Sequence, residues 1–531
     1  MSGILKSLAT VSGMTLMSRV LGFVRQVLVA GVIGAGGNPV ADAFWAAFRL
    51  PNMFRRLFAE GAFHAAFIPL FQGKRKDGDD DARAFVEETL AGLAFILSFL
   101  TALVLIFTPA FVLLIVSGFR DDPEKFDLAV VYARIMFPYL ACMSVVGLLS
   151  GVLNSLGRFA ASAGAPLALN VCMIAALLIF ADADKESVGL ALSWSVFAGG
   201  VLQLLLLVWG ARRQGYFPRP RLPRMTPSVR RLLGLGAPGF IAAGAMQINL
   251  LIGTNIASRE PGAVSWLMNA DQLYQLPLAV IGIALGIVLL PMLSARVKEG
   301  DEEGAATTIN RSLELSALLV FPAAVAFMMM GAPICEALFR GLAGDALSLF
   351  GGRASAFTAD DAAKTGAALA LFGVGLPAFV WHKVFSPAFF AREDTRTPMN
   401  YALITIAVNT ALALALFPVM GFLGVPLATS IAAWLQVFLL AFRLFRQERF
   451  RPSPRLASRL ARISLASAGL AGFLFGVLQY TDQIAAVLLG REWLAVMAIT
   501  AAGLLAYAGL AVVLGAARLS DYKAAPAAAR A

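Results

Sequence analysis

The chain has 531 residues, of which 59% are hydrophobic and 14% charged, and its mean hydropathy is +0.78. Those values exclude a soluble globule and leave no room for a large extramembrane domain, so the chain is expected to be an all-α polytopic membrane protein. Its formal net charge of +11 would suggest nucleic acid in a soluble protein, but the Lys and Arg distribute by topology, and no nucleic-acid partner is expected.

A spanning helix needs about 20 apolar residues. Segments that meet this stand at 8–34, 41–71, 85–116, 128–155, 162–181, 187–211, 229–257, 263–293, 309–339, 363–391, 398–418, 422–442, 460–480 and 492–516, about 14 transmembrane helices. Met1 to Ser7 precede no cleavage-type small-residue site, so the first span is expected to remain in place. With the N-terminus cytoplasmic, alternate loops collect about 28 Lys and Arg on that side against about 8 on the other. Both termini are then cytoplasmic. Cys142, Cys172 and Cys335 lie in apolar segments without pairing or ligand spacing. His64 and His382 are too few for a metal site, and no cofactor is expected.

The first two spans carry Arg19, Arg25, Arg49, Arg55 and Arg56 against only Asp42 and Glu60. A charge at bilayer depth costs about 2.5–3.5 kcal/mol on insertion scales and is tolerated where it faces a bundle interior or wet cavity. The surplus is therefore read as an inward-facing anion site. Arg19 and Arg25 lie about 120° apart around a helix and line one broad wall. Pro51 is expected to kink or interrupt the second span. Arg56 and Glu60 have the spacing of a helical pair, while Arg55 and Arg56 point different ways, so one of them can snorkel.

Pro109, Pro138 and Pro166 are candidate kinks in the next spans, and Arg134 has the position of an interfacial anchor. Residues 212–228 form a basic linker with Pro218, Pro220, Pro223 and Pro227. It separates an N-lobe of six spans, 1–211, from a C-lobe of six, 229–447. Arg49-Leu50-Pro51 is echoed by Gln275-Leu276-Pro277, and Pro138, Arg158, Pro166 and Asn170 by Pro377, Arg392, Pro398 and Asn409. An even-span repeat gives two lobes related by a pseudo-two-fold along the membrane normal. The C-lobe offers Ser265, Asn269, Asp271, Gln272, Gln275 and Lys383, with Ser265, Asn269 and Gln272 on one helical face; interhelical packing bonds are the other reading of that face. Residues 448–518 hold two extra spans, rich in Gly469, Gly472 and Gly476, and 519–531 are expected to be a disordered tail.

Arginine favours phosphate or carboxylate, because its planar fork binds such oxygens bidentately. No Walker-type loop is present, which argues against ATP-driven transport by this chain alone. The acidic runs Asp77 to Asp81 and Asp121-Asp122 read as solvated loop charges.

Ser18-Arg19-Val20-Leu21-Gly22-Phe23-Val24-Arg25, Gly34-Ala35-Gly36, Asp42-Ala43-Phe44, Phe48-Arg49-Leu50-Pro51-Asn52 and Arg55-Arg56-Leu57-Phe58-Ala59-Glu60-Gly61-Ala62-Phe63 closely resemble the MurJ (MviN) family of lipid II flippases. Val264-Ser265-Trp266 and Gly282-Ile283-Ala284-Leu285-Gly286 extend the match. The resemblance implies a fold of the multidrug/oligosaccharidyl-lipid/polysaccharide exporter superfamily, in the bacterial cytoplasmic (inner) membrane. It also implies transport of the undecaprenyl-diphosphate-linked peptidoglycan precursor from cytoplasmic to periplasmic leaflet by alternating access, with no enzymatic chemistry. Carried over by motif, the cavity cations fall on Arg19, Arg25 and Arg56, the essential acid on Asp42 and a cavity serine on Ser265. Arg49, Arg55, Glu60, Asn269, Asp271 and Gln272 are secondary candidates. The implied partners are the lipid-linked precursor, membrane lipids and other cell-wall synthesis proteins; a coupling ion is not identified. One departure stands out: Gln272 follows Ala270-Asp271 where the family pattern has arginine, and Gln26 stands where an acid often follows Arg25. An exporter of another anionic lipid-linked glycan, of O-antigen type, fits the same cationic cavity. A membrane glycosyltransferase on the same lipid would need an acidic base in a long loop, for which only 340–364, with Asp345, Asp360 and Asp361, is available.

Overall fold

A computed structural model describes residues 2–36, 38–58, 62–216, 219, 221–349 and 354–517. Glu60 and the expected tail 519–531 lie outside the described residues, as does the side chain of Arg56. Among the described residues every regular element is helical.

The chain begins with α1 (Ser2–Ile33), α2 (Pro39–Phe58), α3 (Ala62–Asp77), α4 (Asp79–Ile106) and α5 (Thr108–Ile115). There follow α6 (Pro123–Met136), α7 (Tyr139–Ser155), α8 (Phe159–Ile179), α9 (Lys185–Arg213), α10 (Pro227–Ala257) and α11 (Ala263–Pro277). A π-helical turn at Leu278–Gly282 leads to α12 (Ile283–Lys298), then α13 (Glu302–Cys335), a second π-helical turn at Glu336–Leu342, α14 (Ala343–Ser348) and α15 (Ala359–Phe390). The chain closes with α16 (Arg396–Met420), α17 (Gly424–Arg446), α18 (Pro454–Leu478), α19 (Thr481–Val487) and α20 (Glu492–Val513). A helix, or two helices in tandem, stands at each span expected from hydropathy. Among the described residues ten helical stretches are long and apolar enough to cross a membrane, one of them, Arg396–Arg446, holding both α16 and α17 with a turn at Gly421 between.

Local chemistry sets where helices begin. Asp122, Asp184, Thr226, Asp301, Thr358 and Ser453 each accept a backbone N–H of the first turn that follows, satisfying donors with no partner inside the helix. Prolines act unequally. The chain breaks between α4 and α5 just before Pro109, and between α6 and α7 at Pro138, but α2 runs through Pro51 and α8 through Pro166.

Two compact units result. The first comprises Met1–Ser265 with Ala343–Phe357, the second Trp266–Leu342 with Thr358–Ala531. These units follow packing, whereas the six-span lobes expected from the repeat follow span number, and α10 packs within the first unit. In that unit Phe63, Phe67 and Phe71 stack at successive turns of α3, centroids 5.5 and 5.7 Å apart, and Phe67 stacks on Phe85 of α4 at 5.4 Å. The linker between α9 and α10 is docked on α4: Arg221 pairs with buried Glu87 at 2.6 Å, Thr226 donates to Glu88 at 2.8 Å, and Tyr216 donates to Asp79 at 3.3 Å. Residues 343–349 and 354–357 belong to this unit and meet the end of α1, where Ala356 N donates to Gly31 O at 2.6 Å and a Cβ on Gly31 would lie 2.6 Å from Ala343 Cβ.

In the second unit α13 and α15 cross with backbones in contact. A Cβ on Gly366 would lie 2.3 Å from Ala332 N, and one on Gly331 2.4 Å from Gly366 O. Tyr274 stacks on Phe372 and Phe379, with centroids 4.6 and 5.4 Å away, beside the π-helical turn. Buried Arg459 of α18 donates to the carbonyl of Ala516, just past α20, at 2.9 Å, placing a cation where the helix dipole is negative.

Candidate functional site

Asp42 lies in the first turn of α2 and is 1% exposed. A carboxylate so buried requires partners, and it has them on both oxygens. Oδ2 accepts from Gly262 N at 2.7 Å; Oδ1 accepts from Ser265 N at 3.0 Å and from Ser265 Oγ at 2.7 Å. Both backbone donors open α11, so Asp42 caps that helix from another element, an anion at the positive end of its dipole. Buried Lys125, in the first turn of α6, adds its Nζ 3.6 Å from Oδ2.

A second clasp lies next to it in the chain. Ser117 donates to Asn255 Oδ1 at 2.9 Å, Asn255 Nδ2 donates to Leu114 O at 3.1 Å, and Gly118 N donates to Ser258 Oγ at 3.0 Å. A Cβ on Gly118 would lie 2.3 Å from Ser258 O, so only glycine admits this approach. Together the two clasps fasten residues 255–265 to the start of α2 and the turn between α5 and α6, all within the first unit.

The cations sit elsewhere in the same unit. Arg25 of α1 is partly buried; its Nη1 donates to Asn170 Oδ1 at 3.0 Å, and Asn170 Nδ2 donates back to Ser18 O at 3.0 Å. Among the described residues the buried Arg25 Nε has no hydrogen-bond partner. Arg55, whose Nε donates to Asn52 Oδ1 at 3.2 Å, lies close enough to Arg25 for their like charges to interact. Two like charges held together, one with a donor that no described residue satisfies, suit an anionic ligand. Arg19, on the same helix, is exposed, and Arg49 donates to Leu250 O at 3.2 Å. The structure thus brings Arg25 and Arg55 together and bonds Asp42 and Ser265 to each other. Arg56 and Glu60 fall among the side chains not described.

In the second unit Asn269 is buried, Gln272 is partly exposed, and Asp271 accepts from Gln275. The acids of the 340–364 loop are engaged structurally. Asp361 completes a capping box with Thr358 and accepts from Trp266 Nε1 at 2.8 Å, while Asp360 pairs with Lys364 at 2.8 Å. Sequence reasoning passed over Lys125 and Asn255. The Asp-Pro-Glu-Lys run signals a helix cap at Asp122, but nothing in it says that the lysine turns inward.

A family model described as "Lipid II flippase MurJ" matches residues 29–490. "Probable lipid II flippase MurJ" of Rhizobium tropici is 45% identical over 88% of this chain and 86% of its own length, and that of Rhizobium meliloti 44% identical over 97% and 95%. "Lipid II flippase MurJ" of Burkholderia cenocepacia is 36% identical over 88% and 89%. Among solved structures, "Lipid II flippase MurJ, inward closed conformation" superposes with a TM-score of 0.76 over 95% of this chain and 98% of that one at 23% identity, and a MATE-family multidrug transporter with 0.66 over 83% and 97% at 15%. Those structures bear on the fold; the family rests on the matches at higher identity, whose names are those of transporters and not of enzymes. A multi-span helical membrane protein with this signature, matched over most of its length, belongs to the lipid II flippase MurJ family.

Proposed function

We propose that this chain moves lipid II from the cytoplasmic to the periplasmic leaflet of the bacterial inner membrane by alternating access of two six-span lobes, with both termini cytoplasmic. The observation that carries the reading is Arg25: a guanidinium within the first apolar span, held by Asn170, beside a second cation and with no partner for its buried Nε among the described residues. The substrate's diphosphate supplies the missing acceptors, and Arg19, Arg55 and Arg56 extend the cationic path on the same pair of helices. Asp42 and Ser265 take a different part. Bonded to each other and buried, they form a latch at the end of the spans away from the N-terminus, closed while the site faces the cytoplasm.

The test is complementation of flippase-depleted cells, with an assay for the leaflet that holds lipid II. Arg25→Ala is expected to abolish growth and leave lipid II in the cytoplasmic leaflet at normal membrane levels of the protein; full growth overturns the assignment. Normal transport of a lipid-linked glycan lacking the peptide would favour a broader exporter.

A further inference from the structure

Among the described residues, Lys125 is the cation that pairs with the latch. Its side chain is 7% exposed and lies between two carboxylates, with Nζ 3.6 Å from Asp42 Oδ2 and 3.5 Å from Asp122 Oδ2. The ammonium also sits 5.3 Å from the centroid of the Phe119 ring. Asp122 is not buried like Asp42: its side chain is 45% exposed, and its Oδ1 caps α6 by accepting from Lys125 N at 3.1 Å. One buried cation is therefore shared between a buried acid that also binds α11 and a half-exposed acid fixed to the helix of the lysine itself.

We propose that Lys125 is the positioning residue of the latch: it holds the Asp42 carboxylate where Gly262 and Ser265 donate to it, and Asp122 retains the ammonium when the latch opens. The argument is one of cost. A buried ammonium stripped of its only partner opposes the separation strongly, and a buried carboxylate stripped of its cation does likewise. With Asp122 in place the lysine keeps an ion pair in both arrangements, so opening exposes Asp42 to water without stranding Lys125. Asp122 sets how readily the latch releases, and Lys125 sets how firmly it holds. The proposal rests on the reading of Asp42 and Ser265 as a latch, but not on the identity of what is transported.

The test is amide hydrogen exchange of the full chain in lipid nanodiscs without substrate, read at Gly262 and Ser265, whose N–H groups are the donors to Asp42. Lys125→Met keeps the apolar stem over Phe119 and removes the charge; exchange at both amides is expected to rise at least about tenfold, the scale of breaking a buried pair. Asp122→Asn keeps a capping side chain and removes the second anion, and exchange there is expected to slow several-fold. A misfolded variant cannot slow exchange, so the second arm separates the proposal from general damage. Unchanged exchange in Lys125→Met, or exchange in Asp122→Asn that is unchanged or faster, overturns it. Because no substrate is present, failure here leaves the complementation result on Arg25 standing, and failure there leaves this one.

Discussion

Asp42 shows how burial turns a residue of expected function into one with a definite physical task. Of its three hydrogen bonds two come from Ser265, and a hydrogen bond to a charged group contributes about 1.5–3 kcal/mol. Ser265→Ala removes only the hydroxyl and keeps both backbone donors, so it is expected to lower thermal stability in detergent modestly, whereas Asp42→Ala, which leaves Lys125 and both amides without their acceptor, lowers it several-fold more in free-energy terms. Equal losses would argue against the shared role of the two oxygens. Much of this level was legible in the chain itself. The unbalanced arginines and Asp42 stand out because charge in an apolar run is conspicuous, whereas Ser265 is reached through a polar helical face and the family motif. That Asp42 and Ser265 bind each other was not legible, since the pairing joins positions far apart in the chain and both have solvated alternatives. Lys125 was hidden for a related reason: in a short polar connection a lysine reads as a solvent-facing charge, and only packing against Phe119 shows otherwise.

At the level of elements, hydropathy located the spans because twenty apolar residues leave helices no other solvent. Proline was a poorer guide to where helices are interrupted. Pro138 coincides with a break, but Pro51 lies inside a continuous α2, because neighbouring groups can satisfy a carbonyl that proline leaves free. The basic stretch before α10 read as a stiff spacer from its prolines, yet it is anchored through acids on α4, and those pairs join segments too far apart for periodicity to connect. The crossing of α13 and α15 gives a sharper expectation. The Cβ introduced by Gly366→Ala meets backbone at 2.3 Å, and backbone cannot rotate aside. A loss of about 1–3 kcal/mol is expected from overpacking, measurable as a lower unfolding midpoint, while Gly472→Ala on α18, where no atom lies within 4 Å, leaves it unchanged.

For the whole molecule, charge asymmetry and span number predict sidedness. Reporter fusions placed in the linker before α10 are expected to report cytoplasm, and fusions between Ser258 and Gly262 the periplasm; the reverse pattern would invert the transport direction proposed here. The overall plan was legible because a membrane restricts backbone to a few solutions. The division into packed units was not, because it depends on a stretch that leaves its sequence neighbours.

That stretch, 343–357, bears on how the protein is made. The first unit has its last hydrogen bond to Gly31 supplied by Ala356, a residue translated only after α11, α12 and α13. During synthesis the far end of α1 must therefore wait, already inserted, while three later helices enter the bilayer, and a nascent chain that stalls before residue 343 holds a first unit that has not yet been sealed.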